Sequence, residues 1–262
     1  MCKTTNELGS VHHNPPLEVI VHSELDAHHI AAAELSGLYP NKFGDAKIAV
    51  YFNKEGVELR STQKPKQKGF RVNFLEIDRR TGAGNLSRKQ PLPKAIGQST
   101  ESVLDLTAGF CSDAFRLSMM GYKVTALERS PIIAALVEDG IRRAKEDRKF
   151  WKEFGARFNF IRGDVLNGNN PEPHEVVYLD PMFPPKRKKS ALPPGRIQLI
   201  QSLVGFDNHK ETLELFNHAS KIAIKKIVLK RPTYAQEFNK KPTHVFKGKL
   251  VRYEVYLQPP AT

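Results

Sequence analysis

Cysteine is scarce in this chain, which has only Cys2 and Cys111 among its 262 residues. One pair of cysteines cannot hold together a fold of this size, so the composition favours a reducing, cytoplasmic environment. Long apolar runs are also missing, since no stretch approaches the ~18 apolar residues of a membrane-spanning helix. The first residues lack the apolar centre of a signal peptide, and we expect a loose arm over residues 1–16.

Negative charge is in short supply, because 28 Asp and Glu residues face 41 Lys and Arg residues and leave a formal net charge of +13. Such an excess attracts polyanions, of which nucleic acid is the most common inside cells. The basic side chains are concentrated in particular loops. We therefore expect a nucleic-acid partner; a charge that only favours solubility is the alternative.

The hydrophobic pattern divides the chain into two parts. Residues 17–77 predict a small β-rich domain from the strand-like LEVIVHSEL, the hairpin IAVYFNKEGVELRS and the alternating FRVNFLEI. Residues 78–100 are rich in glycine, proline and basic side chains, which predicts a cationic connecting segment. In residues 101–262 short apolar strands alternate with helices, and this alternation predicts a Rossmann-like α/β domain with a parallel sheet covered on both faces.

Helix boundaries are marked in the second part. Ser112 is a candidate N-cap of the helix SDAFRLSMMG, which Gly121 follows. Ser130 and Pro131 suit the cap and the first turn of the next helix. Two further helices are predicted over LIQSLVG and KETLELFNHASKIA, and a closing strand over LVRYEVYLQ.

Acidic residues end four consecutive predicted strands: Asp105, Glu128, Asp164 and Asp180. The carboxyl ends of parallel strands lie at one edge of a sheet, and ligands bind there. A fifth strand ends with Lys230 and Arg231. We expect these side chains to surround a ligand site.

The turn after the first of these strands, DLTAGFCSDAF, is either part of a nucleoside site or only a tight connection between a strand and a helix. Gly109 allows close approach of the backbone, and the next helix offers free N–H groups. Glu128 follows Asp105 by about 20 residues, the offset at which an acid binds ribose hydroxyls, and Asp164 is placed to bind an adenine amino group. The G-x-G-x-x-G of nicotinamide sites is missing. S-adenosylmethionine (SAM), an adenosine without phosphates, fits best, with its amino acid part near Asp105 and Gly109.

The fourth strand leads into Asp180-Pro181-Met182-Phe183, which is similar to the Asp/Asn-Pro-Pro-aromatic turn of amino-methylating enzymes. In such a turn the carboxylate and a backbone carbonyl accept the N–H groups of an exocyclic amine, while the aromatic ring stacks on the base. Such an amine is a poor nucleophile because its lone pair is delocalised, so positioning supplies much of the catalysis. A core aromatic is the alternative interpretation of Phe183, and Met182 replaces the second proline.

A basic run follows this turn, and we predict that its side chains contact phosphates together with Lys230 and Arg231: Lys186, Arg187, Lys188 and Lys189. A nuclear localisation run is the alternative. The pairs Arg79-Arg80 and Arg88-Lys89 either add a second phosphate contact or belong to a solvated linker. We expect no metal site, since the histidine pairs lack partners at ligand spacing.

The chain resembles the ribosomal RNA small subunit methyltransferase J family in five segments: DLTAGFCSDAF, ALERSPIIAALVEDGI, VVYLDPMFP, QSLVG and VLKRPTYA. The resemblance is dense from about residue 101 to 235. It implies a class I methyltransferase fold and a bacterial cytoplasmic enzyme that uses SAM to methylate N2 of one guanosine in 16S rRNA. It also implies cofactor contacts from these residues: Ser112, Asp113, Glu128, Arg129, Asp164, Val165 and Asp180.

The chain departs from the family pattern at two places. The family turn usually reads GLGRD, where this chain has GFCSD over residues 109–113. A pair of serines is usual where this chain has Asp164-Val165. The first departure affects cofactor affinity, whereas the second is compatible with adenine binding.

Two other functions stay open at this point. One is methylation of an adenine amino group in RNA or DNA by the same chemistry. The other is an rRNA assembly factor that binds SAM without turnover, which only the changed turn at Cys111-Ser112 favours. An NAD-dependent oxidoreductase is disfavoured because the glycine fingerprint is missing.

Overall fold

The computed structural model describes most of the chain: residues 17–21, 26–38, 47–63, 66, 68–82, 84, 86–183, 209–236, 238 and 240–259. The expected N-terminal arm, the helix over LIQSLVG and the basic run at residues 186–189 lie outside the described residues. None of the described helices is long and apolar enough to cross a membrane.

The N-terminal part contains a three-stranded sheet and one helix. The strands are β1 (Leu17–Val21), β2 (Ile48–Asn53) and β3 (Gly56–Ser61), in that order across the sheet. β2 and β3 form the predicted antiparallel hairpin. Helix α1 (Asp26–Leu38) connects β1 to β2 and allows these two strands to run parallel. The strand pattern of the sequence did not predict this helix.

The larger sheet has seven strands: β4 (Ser102–Asp105), β5 (Lys123–Glu128), β6 (Phe158–Arg162), β7 (His174–Leu179), β8 (Ala223–Pro232), β9 (His244–Lys247) and β10 (Val251–Leu257). They are arranged in the order β6-β5-β4-β7-β8-β10-β9. The first five strands in this order are parallel, whereas β10 is antiparallel to both β8 and β9. The predicted α/β fold class is confirmed, and so is the closing strand over LVRYEVYLQ, which is β10; β9 at the edge is an addition.

Helices cover both faces of this sheet: α2 (Pro91–Ile96), α3 (Ser112–Met119), α4 (Pro131–Glu146), α5 (Arg148–Phe150) and α6 (His209–Ile222). The alternation of side chains along β7 shows why its sequence is apolar from Val176 to Leu179. Val176 and Tyr178 are buried in the cluster that contains α3 and α4, while Val177 and Leu179 are buried in the cluster under α6. A strand covered on both faces has no solvent-exposed position for a polar residue.

The segment FRVNFLEI is not the strand that its alternation predicts. Only Phe70 pairs with Leu59, through two backbone hydrogen bonds of 2.8 Å. Asn73 then caps a 3-10 turn over Phe74–Glu76 by accepting a hydrogen bond from the Leu75 N–H. The turn buries Phe74 against Phe115 of α3, with ring centroids 4.3 Å apart. This aromatic contact with the larger sheet's helix layer overrides the local strand pattern.

Part of the predicted connecting segment belongs to the core. Helix α2 contributes Leu92, Ala95 and Ile96, which are all buried against the larger sheet. Pro91 is its first residue, as is common at the start of helices. The basic residues of the segment therefore flank a packed helix, and the domain boundary near residue 100 stays a prediction.

A buried carboxylate connects the N-terminal sheet to α4. Asp139, whose side chain is 1% exposed, accepts hydrogen bonds from the Val57 N–H at 3.0 Å and from Arg143 Nε at 2.8 Å. Arg143 also donates to the carbonyl oxygen of Val72. Gly140 has no side chain, and a Cβ there would lie 3.0 Å from that same oxygen. Both parts of the chain therefore depend on one face of α4.

Asp139→Ala should lower the free energy of unfolding by about 3 kcal/mol, because a buried N–H and a guanidinium lose their acceptor. Urea unfolding of the whole chain measures this change. Glu146→Ala is the matched control, since Glu146 is exposed and pairs only with Arg142 on the same helix. The control should change the free energy by less than about 0.5 kcal/mol. Equal losses in the two variants would contradict the proposed role of Asp139.

Candidate active site

A cavity of about 340 Å³ opens at the carboxyl edge of β4, β5, β6 and β7. Most of the residues predicted to contact a cofactor line it: Asp105, Gly109, Ser112, Asp113, Glu128, Arg129, Asp164 and Asp180. Val165 is buried next to it, in the core under α6. The four strand-ending acids thus meet at one edge, as expected for parallel strands, and their role in binding stays a prediction.

Glu128 joins the turns that follow β4 and β5. Its carboxylate accepts the Gly109 N–H at 2.8 Å and the Ser130 N–H at 2.7 Å, one on each oxygen. Ser130 in turn caps α4, with Pro131 in the first position as predicted. Glu128 therefore supports the shape of the turn as well as lining the cavity, and its sequence spacing alone indicated only a ribose contact.

The predicted N-cap of α3 is displaced by one residue. Ser112 is the first helical residue, and the cap position belongs to Cys111, which has a left-handed φ of 56°. The N–H of Cys111 donates to the carbonyl oxygen of Ala108 at 2.8 Å and closes the turn. Gly109 also has a positive φ, of 53°. Two left-handed residues so close together make the turn tight, and the helix therefore begins only after Cys111.

Cys111 stands where the family pattern has glycine, and it is the one non-glycine residue with positive φ among the described residues. A left-handed residue with a side chain costs about 1–2 kcal/mol. The thiol is fully buried, and burial raises its pKa well above the usual range. A buried, protonated thiol is a poor nucleophile, so a covalent cysteine step finds no support here.

Lys230 lies between two carboxylates of the cavity. Its ammonium is 2.8 Å from Asp180 Oδ2 and 3.0 Å from Asp113 Oδ2. The hydroxyl of Tyr178 donates to the same oxygen of Asp113 at 2.9 Å, and Arg116 pairs with the other oxygen. The sequence predicted Lys230 as a phosphate contact. That contact stays a prediction, and in the structure the ammonium lies in the cavity between two acids.

These contacts decide which groups carry charge. Burial is the largest influence on Asp113 and acts to raise its pKa, but Lys230 and Arg116 outweigh it and lower that pKa to about 2. The same carboxylates raise the pKa of Lys230 against the opposing effect of burial. Burial, and then the charges of Asp180 and Asp113, raise the pKa of Asp105 well above its usual range. Asp113 is therefore anionic beside a permanently charged Lys230.

Arg231, the second predicted phosphate contact on β8, is buried, and that contact stays a prediction. Its side chain is 5% exposed and its guanidinium lies 3.5 Å from Glu254. The guanidinium is 5.8 Å from the ring centroid of Phe183 and 5.4 Å from that of Phe238. In this position Arg231 supports the aromatic ring at the end of the Asp180 turn.

Thr107 fixes the backbone of the turn that follows β7. Its hydroxyl accepts the Asp180 N–H at 2.6 Å, and its own N–H donates to Asp105 Oδ1 at 3.0 Å. Pro181, the next residue of the turn, is buried, while Phe183 is half-buried. No role for Thr107 was predicted from the sequence, although the threonine of DLTAG lies close behind the end of the strand.

Asp164 has a structural role in addition to its place in the cavity. Its carboxylate caps a 3-10 turn over Val165–Asn167, where it accepts the Leu166 N–H at 2.9 Å and the Asn167 side-chain amide at 2.8 Å. Arg129, another predicted contact, pairs with Glu211 of α6. Asp164 and Arg129 thus both line the cavity, and each also contacts other residues of this chain.

The charged side chains that line the cavity suit a positively charged ligand such as SAM, which carries a sulfonium and an ammonium. Five carboxyl groups line it against three cationic side chains, Arg116, Arg129 and Lys230. The turn at Gly109 also leaves open space, since a Cβ built there meets no atom within 4 Å. No cluster of three metal-ligating side chains occurs within the described ranges.

Glu128→Gln should lower the free energy of unfolding by about 1–3 kcal/mol, because the amide nitrogen would face one of two backbone N–H donors. Thermal unfolding measures the loss, and Glu153→Gln, an exposed substitution, is the control that should leave stability unchanged. Unchanged stability in Glu128→Gln would show that the carboxylate does not hold the two turns.

Comparison with known proteins agrees with the fold. A SAM-dependent methyltransferase family model, SAM_MT, matches residues 36–258. A ribosomal RNA small subunit methyltransferase J from Shewanella piezotolerans is 38% identical over 242 residues, covering 87% of this chain and 86% of that protein. A protein of the same name from Aeromonas salmonicida is 37% identical over 236 residues, covering 87% of this chain and 93% of that protein.

The crystal structure of a SAM-dependent methyltransferase from Neisseria gonorrhoeae has the same fold, with a TM-score of 0.66 at 24% identity. The match covers 94% of this chain and 97% of that chain. The family model and the two curated relatives each extend over most of the sequence. This chain therefore belongs to the ribosomal RNA small subunit methyltransferase J family and is a SAM-dependent methyltransferase.

Proposed function

We propose that this chain methylates the exocyclic N2 amine of one guanosine in 16S rRNA and that it acts in the cytoplasm. The observation that supports this most directly is the Asp180-Pro181 turn, which ends β7 at the mouth of a cavity lined by acids. The names of the curated relatives support small-subunit rRNA as the substrate. The net charge of +13 favours a polyanionic partner.

The cofactor is proposed to lie along the carboxyl edge from Asp105 to Asp164. When bound, SAM supplies a methyl group attached to a positively charged sulfur. Asp113 stays ionised at neutral pH and stabilises positive charge in the cofactor's amino acid part, while Asp105, whose pKa burial raises, contributes hydrogen-bonding oxygens there. Glu128 and Asp164 are placed for the ribose and the adenine amino group. Their carboxylates already accept backbone N–H groups, so each would share an oxygen with the cofactor.

Asp180 and the Pro181 carbonyl would accept the two N–H groups of the guanine amine and direct its lone pair towards the cofactor. Phe183 would stack on the base, with Arg231 behind its ring. Asp180 need not be a strong base, because the amine nitrogen becomes acidic as it gains the methyl group. The hydrogen bond from the Asp180 N–H to Thr107 keeps the carboxylate at a fixed place.

Lys230 acts as a positioning residue in this proposal. Its ammonium contacts Asp180 Oδ2, so it orients the carboxylate and favours its ionised, hydrogen-accepting form. It also contacts Asp113, so the acid assigned to the cofactor and the acid assigned to the amine are held by one cation. The predicted contacts of Lys186, Arg187, Lys188 and Lys189 with RNA stay part of the proposal.

Asp180→Ala should lower the rate of methyl transfer by about 100- to 1,000-fold, the usual cost of losing one positioned hydrogen-bond partner. The substrate is the small ribosomal subunit from cells that lack the enzyme, incubated with methyl-labelled SAM. The labelled nucleoside is then identified by mass spectrometry after digestion of the RNA. Asp78→Ala, which removes an exposed carboxylate paired with Arg80, is the control and should keep the wild-type rate.

The wild-type product separates the proposed function from its rivals. N2-methylguanosine supports the proposal, whereas labelled N6-methyladenosine would assign the chain to adenine methylation. No label on particles or on naked rRNA, despite cofactor binding, would favour an assembly factor without turnover.

Lys230→Met should lower kcat and move the acid limb of the kcat/KM profile to higher pH by about one unit. Without the ammonium, the carboxylates of Asp113 and Asp180 lose the charge that favours ionisation, so protons inactivate the site at a higher pH. Rates and SAM affinity measured from about pH 3 to 9 test this, and Lys230→Arg should restore the position of the limb because it keeps the charge. A lower rate with an unmoved acid limb would mean that Lys230 has only a structural role.

A further inference from the structure

The β9–β10 hairpin carries basic side chains that neither the fold nor the cavity uses. Residues 240–252 contain four lysines, one arginine and one histidine but no acidic residue. Arg252 has a structural task, since it pairs with Glu254 and donates to the carbonyl oxygens of Thr233 and Ala235. Lys247 and Lys249 are exposed, and within the described part of the chain no contact occupies their ammonium groups. Next to them Leu250 is 73% exposed.

The strand register places these lysines at the carboxyl edge of the sheet, where Asp180 also lies. Leu179 of β7 pairs with Leu229 of β8, so Asp180 is level with the next residue, Lys230. Across β10 this row continues to Phe246 of β9, the residue before Lys247. Three strand spacings of about 4.8 Å separate β7 from β9, which puts Lys247 about 14 Å from Asp180. That distance corresponds to about four nucleotide steps measured along the axis of a double helix, at ~3.4 Å per step.

The hairpin is held firmly at this place. The N–H of Thr233 donates to the carbonyl oxygen of Leu250 at 3.0 Å, which ties the hairpin turn to the end of β8. The Gly248 N–H donates to the Val251 carbonyl oxygen at 2.7 Å and closes the turn itself. A Cβ on Gly248 would lie 3.7 Å from Pro91, at the start of α2. The backbone that carries the two lysines is therefore fixed to the sheet that also carries the cavity.

We propose that the basic hairpin surface, defined as Lys247, Lys249 and Leu250, binds the rRNA backbone beside the target nucleotide. The inference rests on the proposed function, because the occupant is the strand that delivers the base to Asp180. The two ammonium groups bind phosphates, and the apolar side chain of Leu250 packs against the neighbouring sugar. Phosphate contacts of this kind set the register of a nucleic acid without reading its sequence.

A second explanation for lysines on β9 is protection of an edge strand. β9 is an edge strand of the larger sheet. Charged side chains on edge strands prevent these strands from pairing with other molecules. Glutamate protects an edge as lysine does but repels phosphate. Charge reversal therefore separates the two explanations, since it removes phosphate binding and leaves the edge charged.

The test compares Lys247→Glu/Lys249→Glu with Lys149→Glu/Lys152→Glu. The second pair of lysines is exposed, and its reversal changes the net charge by the same amount. It precedes β6 in the chain and so lies towards the amino ends of the parallel strands, away from the carboxyl edge that carries Asp180. Binding of each protein to small ribosomal subunits that lack the methyl group is measured from low to high salt, along with methyl transfer. Thermal unfolding and SAM binding are followed in both variants.

The hairpin variant should bind the subunit at least about 10-fold more weakly at moderate salt, with a salt slope reduced by about 2. Its kcat at saturating substrate, its SAM affinity and its unfolding temperature should match those of the wild-type protein. The control variant should bind within about 2-fold of wild type. Lys247→Gln/Lys249→Gln should fall between the wild type and the charge reversal.

Equal weakening in the hairpin and control variants would overturn the proposal, because net charge alone would then explain binding. An unchanged affinity and salt slope in the hairpin variant would overturn it as well. Failure of the unaltered protein to bind or methylate rRNA is a separate outcome, and it would overturn the proposed function together with this surface.

Discussion

Carboxylates that share a partly buried edge repel one another unless cations lie between them. In this chain the constraint is met by Lys230, whose ammonium contacts Asp113 and Asp180, while Arg116 pairs with the far side of Asp113. The same ammonium joins β8 to the start of α3 and to the turn after β7. The cavity can therefore keep an excess of acids, which a cationic cofactor requires, without losing its shape.

The sequence predicts the parallel sheet and the edge on which the acids meet, because both follow from local patterns. Consecutive apolar residues, such as those at 176–179 of β7, occur where a strand is covered on both faces, and the carboxyl ends of parallel strands lie together. The caps at Ser130 and Pro131 and the hairpin between β2 and β3 are equally local, and the structure confirms them. No knowledge of distant contacts is needed for any of these features.

Other features depend on distant partners, and local patterns miss or mispredict them. Lys230 and Arg231 are predicted as phosphate contacts from their place at a strand end, and the local pattern gives no sign of their ion pairs with Asp113 and Glu254, which lie far along the chain. The alternation of FRVNFLEI predicts a strand, yet packing of Phe74 on Phe115 produces a 3-10 turn. The displaced start of α3 depends on the backbone conformation of Cys111, a residue type that gives no hint of a left-handed φ.

The hydroxyl of Thr107 has a consequence for mechanical accuracy. Thr107 belongs to the turn after β4, and Asp180 belongs to the turn after β7, yet a 2.6 Å hydrogen bond joins them. Thermal displacements of the two turns are therefore shared and largely cancel in the distance between them. An in-line transfer tolerates a misalignment of only about 1 Å. Because the hydrogen bond makes the two turns move together, one positional error rather than two independent errors affects their alignment.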